Sequence, residues 1–267
     1  MSLILVNVGC GKTFHPAWRN FDVRPTAPGV ERLDVRRGLP FAQSTCDAVY
    51  HSHVLEHLDR VTAVKFISEA VRVLKPQGVM RVVVPDLEEI ARLYLASLDR
   101  ALAGKDATDH EWMTLEIVDQ LTRGAPGGEM AEFLHRFEPS PGSFVFSRLG
   151  GETRALYDAR HNLSSPGHST LYNLWARRLV QVGAWCLLGP RGRTSVREGF
   201  FRAQGEVHRW MYDRFSLSRL LCSCGLTDVR RCLASESRIP DFGTYGLDQV
   251  AGGTRKPDSL FIEGRKS

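Results

Sequence analysis

The stretch Val6-Asn7-Val8-Gly9-Cys10-Gly11-Lys12-Thr13 ends as a phosphate-binding loop ends. That loop wraps phosphate oxygens in backbone N–H groups and needs Gly-x-x-x-x-Gly-Lys-Ser/Thr. Its first glycine would stand at position 6, where the chain has Val6. The dinucleotide fingerprint Gly-x-Gly-x-x-Gly fails as well, because position 14 is Phe14. What remains is a short glycine turn at the carboxyl end of a first strand, the place where open α/β sheets bind ligands. A second candidate strand ends on Asp22, an acid able to accept hydrogen bonds from both hydroxyls of an adenosine ribose. A third leads to Asp34, placed to meet an adenine amino group. Glycine turn, acid after strand two and acid after strand three, in that order, predict a nucleoside-bearing cofactor.

A second stretch, His53-Val54-Leu55-Glu56-His57, spells the zinc-peptidase pattern H-x-x-E-H. On a helix its histidines would share one face and could ligate zinc. Here it directly follows a buried strand, and no third ligand is evident downstream, so no metal is expected. His57 is read as a capping or packing residue. His51 and His53 leave the strand at the ligand end and are expected to face the cofactor. A third cluster, Gly205-Glu206-Val207-His208-Arg209-Trp210-Met211-Tyr212-Asp213, mixes polar and aromatic groups where the chain returns to its core.

The elements that must position these residues are legible from periodicity. Strands are predicted at 3–8, 20–23, 30–33, 48–51, 79–84, 226–233 and 259–263. The first and fifth are nearly continuous apolar runs, as expected when both faces are buried. A helix over 59–74 places Val64, Ile67, Val71 and Leu74 on one face, and Lys75-Pro76-Gln77-Gly78 stops it. Asp86 and Glu89 fit a capping box for the next helix, with Leu87, Ile90 and Tyr94 repeating behind it. Ser216 is read as the cap of a helix through Cys224, ended by Gly225. Alternating strands and helices specify a parallel sheet covered by helices.

The pattern changes between 105 and 205. Turn signals recur at 124–128, 139–142, 150–151 and 164–167, separated by helical stretches at 110–121 and 170–188. A hundred residues of plain loop would be implausible in a compact domain. The segment is therefore read as an inserted lid, 105–205, on a core formed by 1–104 and 206–267.

The core resembles the class I S-adenosylmethionine-dependent methyltransferases, in particular the type 11-like group. Val6–Gly11 is similar to the first cofactor motif and Asn20-Phe21-Asp22 to the ribose-binding strand end. Asp34, Leu39-Pro40-Phe41, Cys46–Tyr50, Ser52–His57 and Arg72–Gly78 follow the same pattern. Departures are His15-Pro16 through Trp18, which cut the usual first helix short, and Gln77 in place of a common glycine. The resemblance implies a Rossmann-like, doubly wound, mostly parallel seven-stranded sheet with a largely helical insertion after the fifth strand. It implies S-adenosyl-L-methionine as cofactor and S-adenosyl-L-homocysteine as product. Gly9, Cys10 and Gly11 would pass beside the methionine moiety, Asp22 and Val23 would hold the ribose, and Asp34 and Val35 the adenine. His51 would complete the cofactor site.

Methyl transfer to a hydroxyl or protonated amine calls for a base, and His53 is the first candidate, His208 the second. Trp210 and Tyr212 are candidates for acceptor contact. The expected acceptor is a small molecule, a sugar or secondary-metabolite hydroxyl or amine in a biosynthetic setting. Rival readings are another S-adenosylmethionine-dependent group transfer and a non-catalytic partner protein of the same fold.

Composition narrows the partners. The 267 residues carry a net charge of +5, and nine arginines with only four acids lie between Arg191 and Arg231. That segment suits an anionic acceptor. Basic and aromatic residues interleave thinly, so nucleic acid is not the expected partner. No apolar run approaches the length of a membrane span. The N-terminal apolar run reads as a strand, not a signal peptide, and six scattered cysteines without paired spacing read as reduced thiols in a cytoplasm.

Overall fold

The computed structural model describes residues 3–137, 139–140, 142–149, 189, 191–192, 194–250 and 253–267. The predicted helix at 170–188 and the turns at 150–151 and 164–167 lie outside the described residues.

Strands β1 (Leu5–Val8), β2 (Arg19–Asp22), β3 (Val30–Arg32), β4 (Cys46–Ser52) and β5 (Leu74–Pro85) are mutually parallel. After the helical segment come β6 (Leu226–Cys232), a two-residue hairpin β7 (Gln249–Val250) and β8 (Gly253–Thr254), and β9 (Ser259–Lys266). The seven-stranded sheet runs β3-β2-β1-β4-β5-β9-β6, and β9 is antiparallel to both neighbours. The fold is a doubly wound, mostly parallel α/β sheet of Rossmann-like type. No helix intervenes between β1 and β2, where His15-Pro16 favours turns.

Both faces of the sheet are covered, which explains why β1 and β5 read as unbroken apolar runs. Alternation assigns Val6, Val8, Val49, Met80, Val82 and Val84 to the face under helix α1 (Arg60–Val73). Leu5, Ala48, Tyr50, Val79 and Val83 belong to the opposite face, where Trp18, Phe242 and Phe261 pack. Asp59 caps α1, accepting from the Thr62 N–H at 2.9 Å. The buried stripe of α1 is Ala63, Phe66, Ile67, Ala70 and Val73. It is rotated from the predicted face: Val64 is 45% exposed. Two alanines let the helix approach the sheet, and Phe66 and Ile67, each burying about 1.5–3 kcal/mol of side chain, set the angle. Gln77, standing where the resemblance leads one to expect glycine, adopts a left-handed φ of 63°.

Helix α2 (Leu87–Leu102) is capped by Asp86, which accepts from the N–H groups of Glu88 and Glu89. Helices α3 (Thr108–Thr122), α4 (Gly128–Arg136) and α5 (Phe144–Arg148) share a third apolar cluster with Ile90 and Met211, built on Trp112, Met113 and Phe133. Helix α6 (Arg214–Ser223) corrects one cap. Asp213, not Ser216, accepts from the first-turn N–H groups, at 2.9 Å from Phe215 and 2.7 Å from Ser216. The Ser216 hydroxyl accepts from the Asp213 N–H in return, closing a capping box. Gly225, at φ 97°, follows the helix as read. Among the described residues no helix is long and apolar enough to cross a membrane.

Candidate active site

Chain connections turn in opposite directions from β1 and β4, so their carboxyl ends frame the crevice where such sheets bind ligands. The loop leaving β1 is shaped from below. Gly9 and Cys10 N–H groups both donate to the Phe21 carbonyl, at 2.7 and 3.1 Å. The buried Asn7 amide donates to the Thr13 carbonyl and to Asn20 Oδ1, and Asn20 donates to the carbonyls of His15 and Trp18. These two asparagines act as a frame that sequence reading passed over as ordinary strand residues. Gly9 and Gly11 both hold left-handed φ values, 65° and 53°. A Cβ on Gly9 would lie 2.3 Å from Val54 Cγ2, whereas one on Gly11 would stand in open space. The first glycine is therefore required by packing. The second keeps the crevice clear.

A cavity of about 300 Å³ opens here, lined by Gly9, Cys10, Gly11, Tyr50, His53, His57, Lys256 and their neighbours. This is within the size range of small-molecule sites. A larger cleft of about 1560 Å³ lies against α3 and α4 and reaches Glu116, Arg148, Lys256 and Asp258. His53 and Lys256 line both. The structure thus joins Gly9, Cys10, Gly11 and His53 in one place.

The acids stand one step back. Asp22 Oδ2 accepts from the Gly11 N–H at 2.9 Å and Oδ1 from the Arg24 N–H at 2.8 Å. A carboxylate offers about four lone-pair positions, so two remain for a ribose. Asp34 caps a single 3-10 turn and binds Arg36 bidentately, with contacts of 2.7–3.1 Å. That hydrogen bond holds its carboxyl below the usual range. Val23 is 48% exposed, and Val35 packs against the α1 side of the core.

Four predicted residues are placed elsewhere. His51 is fully enclosed, its ring 5.1 Å from Phe66, and burial alone pushes its pKa down to about 3. Alternation along β4 points it under α1, away from the cavity. Tyr212 packs in the main core, its pKa pushed up to about 12 by burial. Trp210 lies at the surface with the Arg60 guanidinium 4.8 Å from its ring. His208 is buried against His57, ring centroids 4.8 Å apart, and lines neither cavity.

His53 sits at φ 55°, a left-handed conformation rare for residues other than glycine, which turns its ring from β4 into the crevice. Its Nε2 is 2.8 Å from the Ser259 hydroxyl and its Nδ1 3.2 Å from Glu56 Oε1. Burial pushes the pKa of His53 well down and that of Glu56 up to about 8, so the contact joins two neutral groups and is no ion pair. Burial also pushes Cys10 up to about 11, with the Asp22 charge adding to it. Its thiol stays protonated.

Residues 11–82 match the family model described as methyltransferase domain. This segment and this fold are those of the class I S-adenosylmethionine-dependent methyltransferases. S-adenosylmethionine is the cofactor of that domain, and the donor set fits it: a glycine turn with open space at Gly11 and a ribose-competent Asp22. Solved structures similar to this methyltransferase core cover nearly all of the chain at low identity. A chain from the complex between the Haloferax volcanii Trm112 methyltransferase activator and a methyltransferase is 11% identical. It aligns over 99% of this chain and 82% of its own, with TM-score 0.39. A SAM-dependent methyltransferase from Archaeoglobus fulgidus is 10% identical over 99% and 86%, TM-score 0.40. An S-adenosylmethionine-dependent methyltransferase from Mesorhizobium loti is 13% identical over 99% and 91%, TM-score 0.37. No curated protein matches the chain.

Proposed function

We propose that the protein transfers a methyl group from S-adenosylmethionine to a small-molecule acceptor, a sugar or secondary-metabolite hydroxyl or amine. The observation that carries this reading is the junction of two cavities at His53 and Lys256, one beside the glycine turn and one beneath α3 and α4. The bound cofactor supplies an activated methyl: the acceptor gains a bond to carbon, the carbon–sulfur pair returns to sulfur, and a hydroxyl acceptor releases one proton.

Gly9, Cys10 and Gly11 border the methionine moiety in this reading, and Asp22 takes the ribose hydroxyls with its two unused lone pairs. Asp34 meets the adenine only after releasing Arg36. Alignment does most of the work, since orientation can be worth about 7–11 kcal/mol. His53 takes the acceptor proton, a contribution of roughly 10²–10⁴-fold, and the Ser259 hydroxyl fixes its ring. The segment 105–205 shapes the acceptor cleft. Lys256, where the cavities meet, suits an acceptor bearing phosphate or carboxylate, whose affinity would fall with added salt. We place the protein in the cytoplasm on the same footing, its described cysteines being free thiols.

Calorimetric titration with S-adenosylmethionine and S-adenosylhomocysteine tests the cofactor half. Micromolar binding, lost in Asp22→Ala, supports the reading; folded protein that binds neither ligand ends it. With an acceptor in hand, wild-type turnover by His53→Ala would remove the base assignment and leave alignment as the whole mechanism.

A further inference from the structure

Leaving β4, the His53–His57 segment makes a single 3-10 turn at Leu55–His57. The helical geometry assumed by the zinc-peptidase pattern is absent, and its two histidines do not share a face. The fold instead brings in a residue from far along the chain. Arg209 and Trp210 donate their N–H groups to the Glu56 carbonyl at 2.7 and 3.2 Å, and the His208 N–H donates to the Gln120 carbonyl at 2.9 Å. These bonds staple His208 beside Glu56 and His57.

The result is a cluster of donor atoms without enough protein donors to satisfy it. Glu56 is 0% exposed, and neither carboxylate oxygen receives a well-formed hydrogen bond. A buried carboxylate in that state is costly unless something completes it. His208, 7% exposed, has an unpartnered Nδ1. One ligand atom from each of Glu56, His57 and His208 lies within 4.8 Å of the others. His57 Nδ1 is 3.4 Å from the Val207 carbonyl. Donating there leaves Nε2 with its lone pair, the orientation that outer partners impose on metal-binding histidines.

We propose that Glu56, His57 and His208 bind one divalent first-row transition cation, of which Zn²⁺ is the type. Two imidazoles and a carboxylate form a catalytic zinc set that leaves a fourth position open. Nitrogen donors disfavour Mg²⁺ and Ca²⁺, which take oxygen. Bond lengths of about 2.0–2.2 Å require the donors to close from their present separation, which carboxylate and ring rotation allows. His53, 3.2 Å from Glu56 Oε1, orients the carboxylate as a positioning residue. Because His57 lines the cavity beside the glycine turn, the open position favours an oxygen acceptor over an amine. That last step rests on the proposed methyl transfer; the ion's binding does not.

The test takes the full chain after dialysis against EDTA. Zn²⁺ uptake is measured by titration calorimetry and elemental analysis, Co²⁺ uptake by its visible spectrum, and S-adenosylhomocysteine binding is measured in parallel. About one equivalent of Zn²⁺ is expected, weakened at least 100-fold in Glu56→Gln and His208→Asn and about tenfold in His53→Ala. His208→Asn keeps a polar side chain of moderate size, and His57→Gln serves in its place if it does not fold. Folded protein that binds S-adenosylhomocysteine yet takes up less than a tenth of an equivalent overturns the site. So does one equivalent retained with unchanged affinity in Glu56→Gln and His208→Asn. Metal bound as expected with no S-adenosylhomocysteine binding keeps the site and sinks the methyl-transfer reading.

Discussion

Arg81→Met should cost the protein more than any single change outside the apolar core. Arg81 lies mid-strand in β5, fully enclosed. Its guanidinium donates to Asp248 Oδ2 at 2.6 Å, Glu263 Oε1 at 2.9 Å, Cys232 Sγ at 3.0 Å, and the carbonyls of Glu236 and Leu233 at 2.7 and 3.0 Å. Phe242 and Phe261 stand 4.7 and 5.4 Å from it. Methionine keeps the stem's packing and removes every one of these bonds. Glu263 would still hold Ser237 and Arg238. Asp248 would keep only the Tyr50 hydroxyl at 2.6 Å and become a buried charge without a cation. Breaking a buried pair from one side costs about 3–5 kcal/mol, and a chain of this size loses roughly 2–4 °C per kcal/mol, hence about 6–20 °C in Tm. Tyr50 and Leu247, next to Asp248, line the cavity beside the glycine turn, so S-adenosylhomocysteine affinity should fall as well. Adding Asp248→Asn removes the stranded charge and should recover part of the loss. Thermal and urea unfolding of the two single variants and the double measure the coupling. A Tm drop under 2 °C in Arg81→Met, or purely additive losses in the double variant, would refute the reasoning.

Other expectations follow from local geometry. Gly11→Ala takes on only the left-handed strain of about 1–2 kcal/mol, because its methyl meets nothing within 4 Å, yet it should weaken cofactor binding tenfold or more. Gly9→Ala adds the contact with Val54 and should lose clearly more stability; equal Tm losses in the two variants would contradict the packing argument. Asp213→Ala strips α6 of its cap and should cost about 1 kcal/mol, seen as a small Tm shift without change in ligand affinity. At pH 8 a maleimide should label exposed Cys222 quickly and leave Cys10 unmodified until urea is added, since the Cys10 thiol is buried and pushed up to about 11. Peptide mass mapping reads both.

Every sheet strand longer than two residues was legible in the sequence, because pattern along a strand is local. The rotation of α1 was not. Its buried stripe includes Ala63 and Ala70, whose small side chains give a weak apolar signal, and Val64 drew the predicted face toward itself. The α6 cap was missed by three residues for a similar reason: Asp213 and Ser216 both cap well in isolation, and only the reciprocal bond between them decides which is first. The glycine turn and Asp22 could be read because their chemistry is written within one strand-turn-strand unit.

Residues whose partners lie far along the chain gave no such signal. Arg81 interrupts an apolar strand, and nothing near it in sequence announces Asp248 or Glu263. The same holds at the candidate site. The segment His53–His57 was set aside as a metal motif because the helical template has two histidines on one face and no third ligand followed. The first objection stands, since the segment is a 3-10 turn. The second fails for a physical reason: His208 comes from beyond the segment 105–205, and it is placed by backbone bonds to Glu56 and Gln120 that no spacing rule encodes. A pattern rejected for lacking a partner can therefore be restored by topology with a different membership. Here the motif's glutamate becomes a ligand and its first histidine the positioning residue, and the metal titration of Glu56→Gln against His53→Ala separates those two roles.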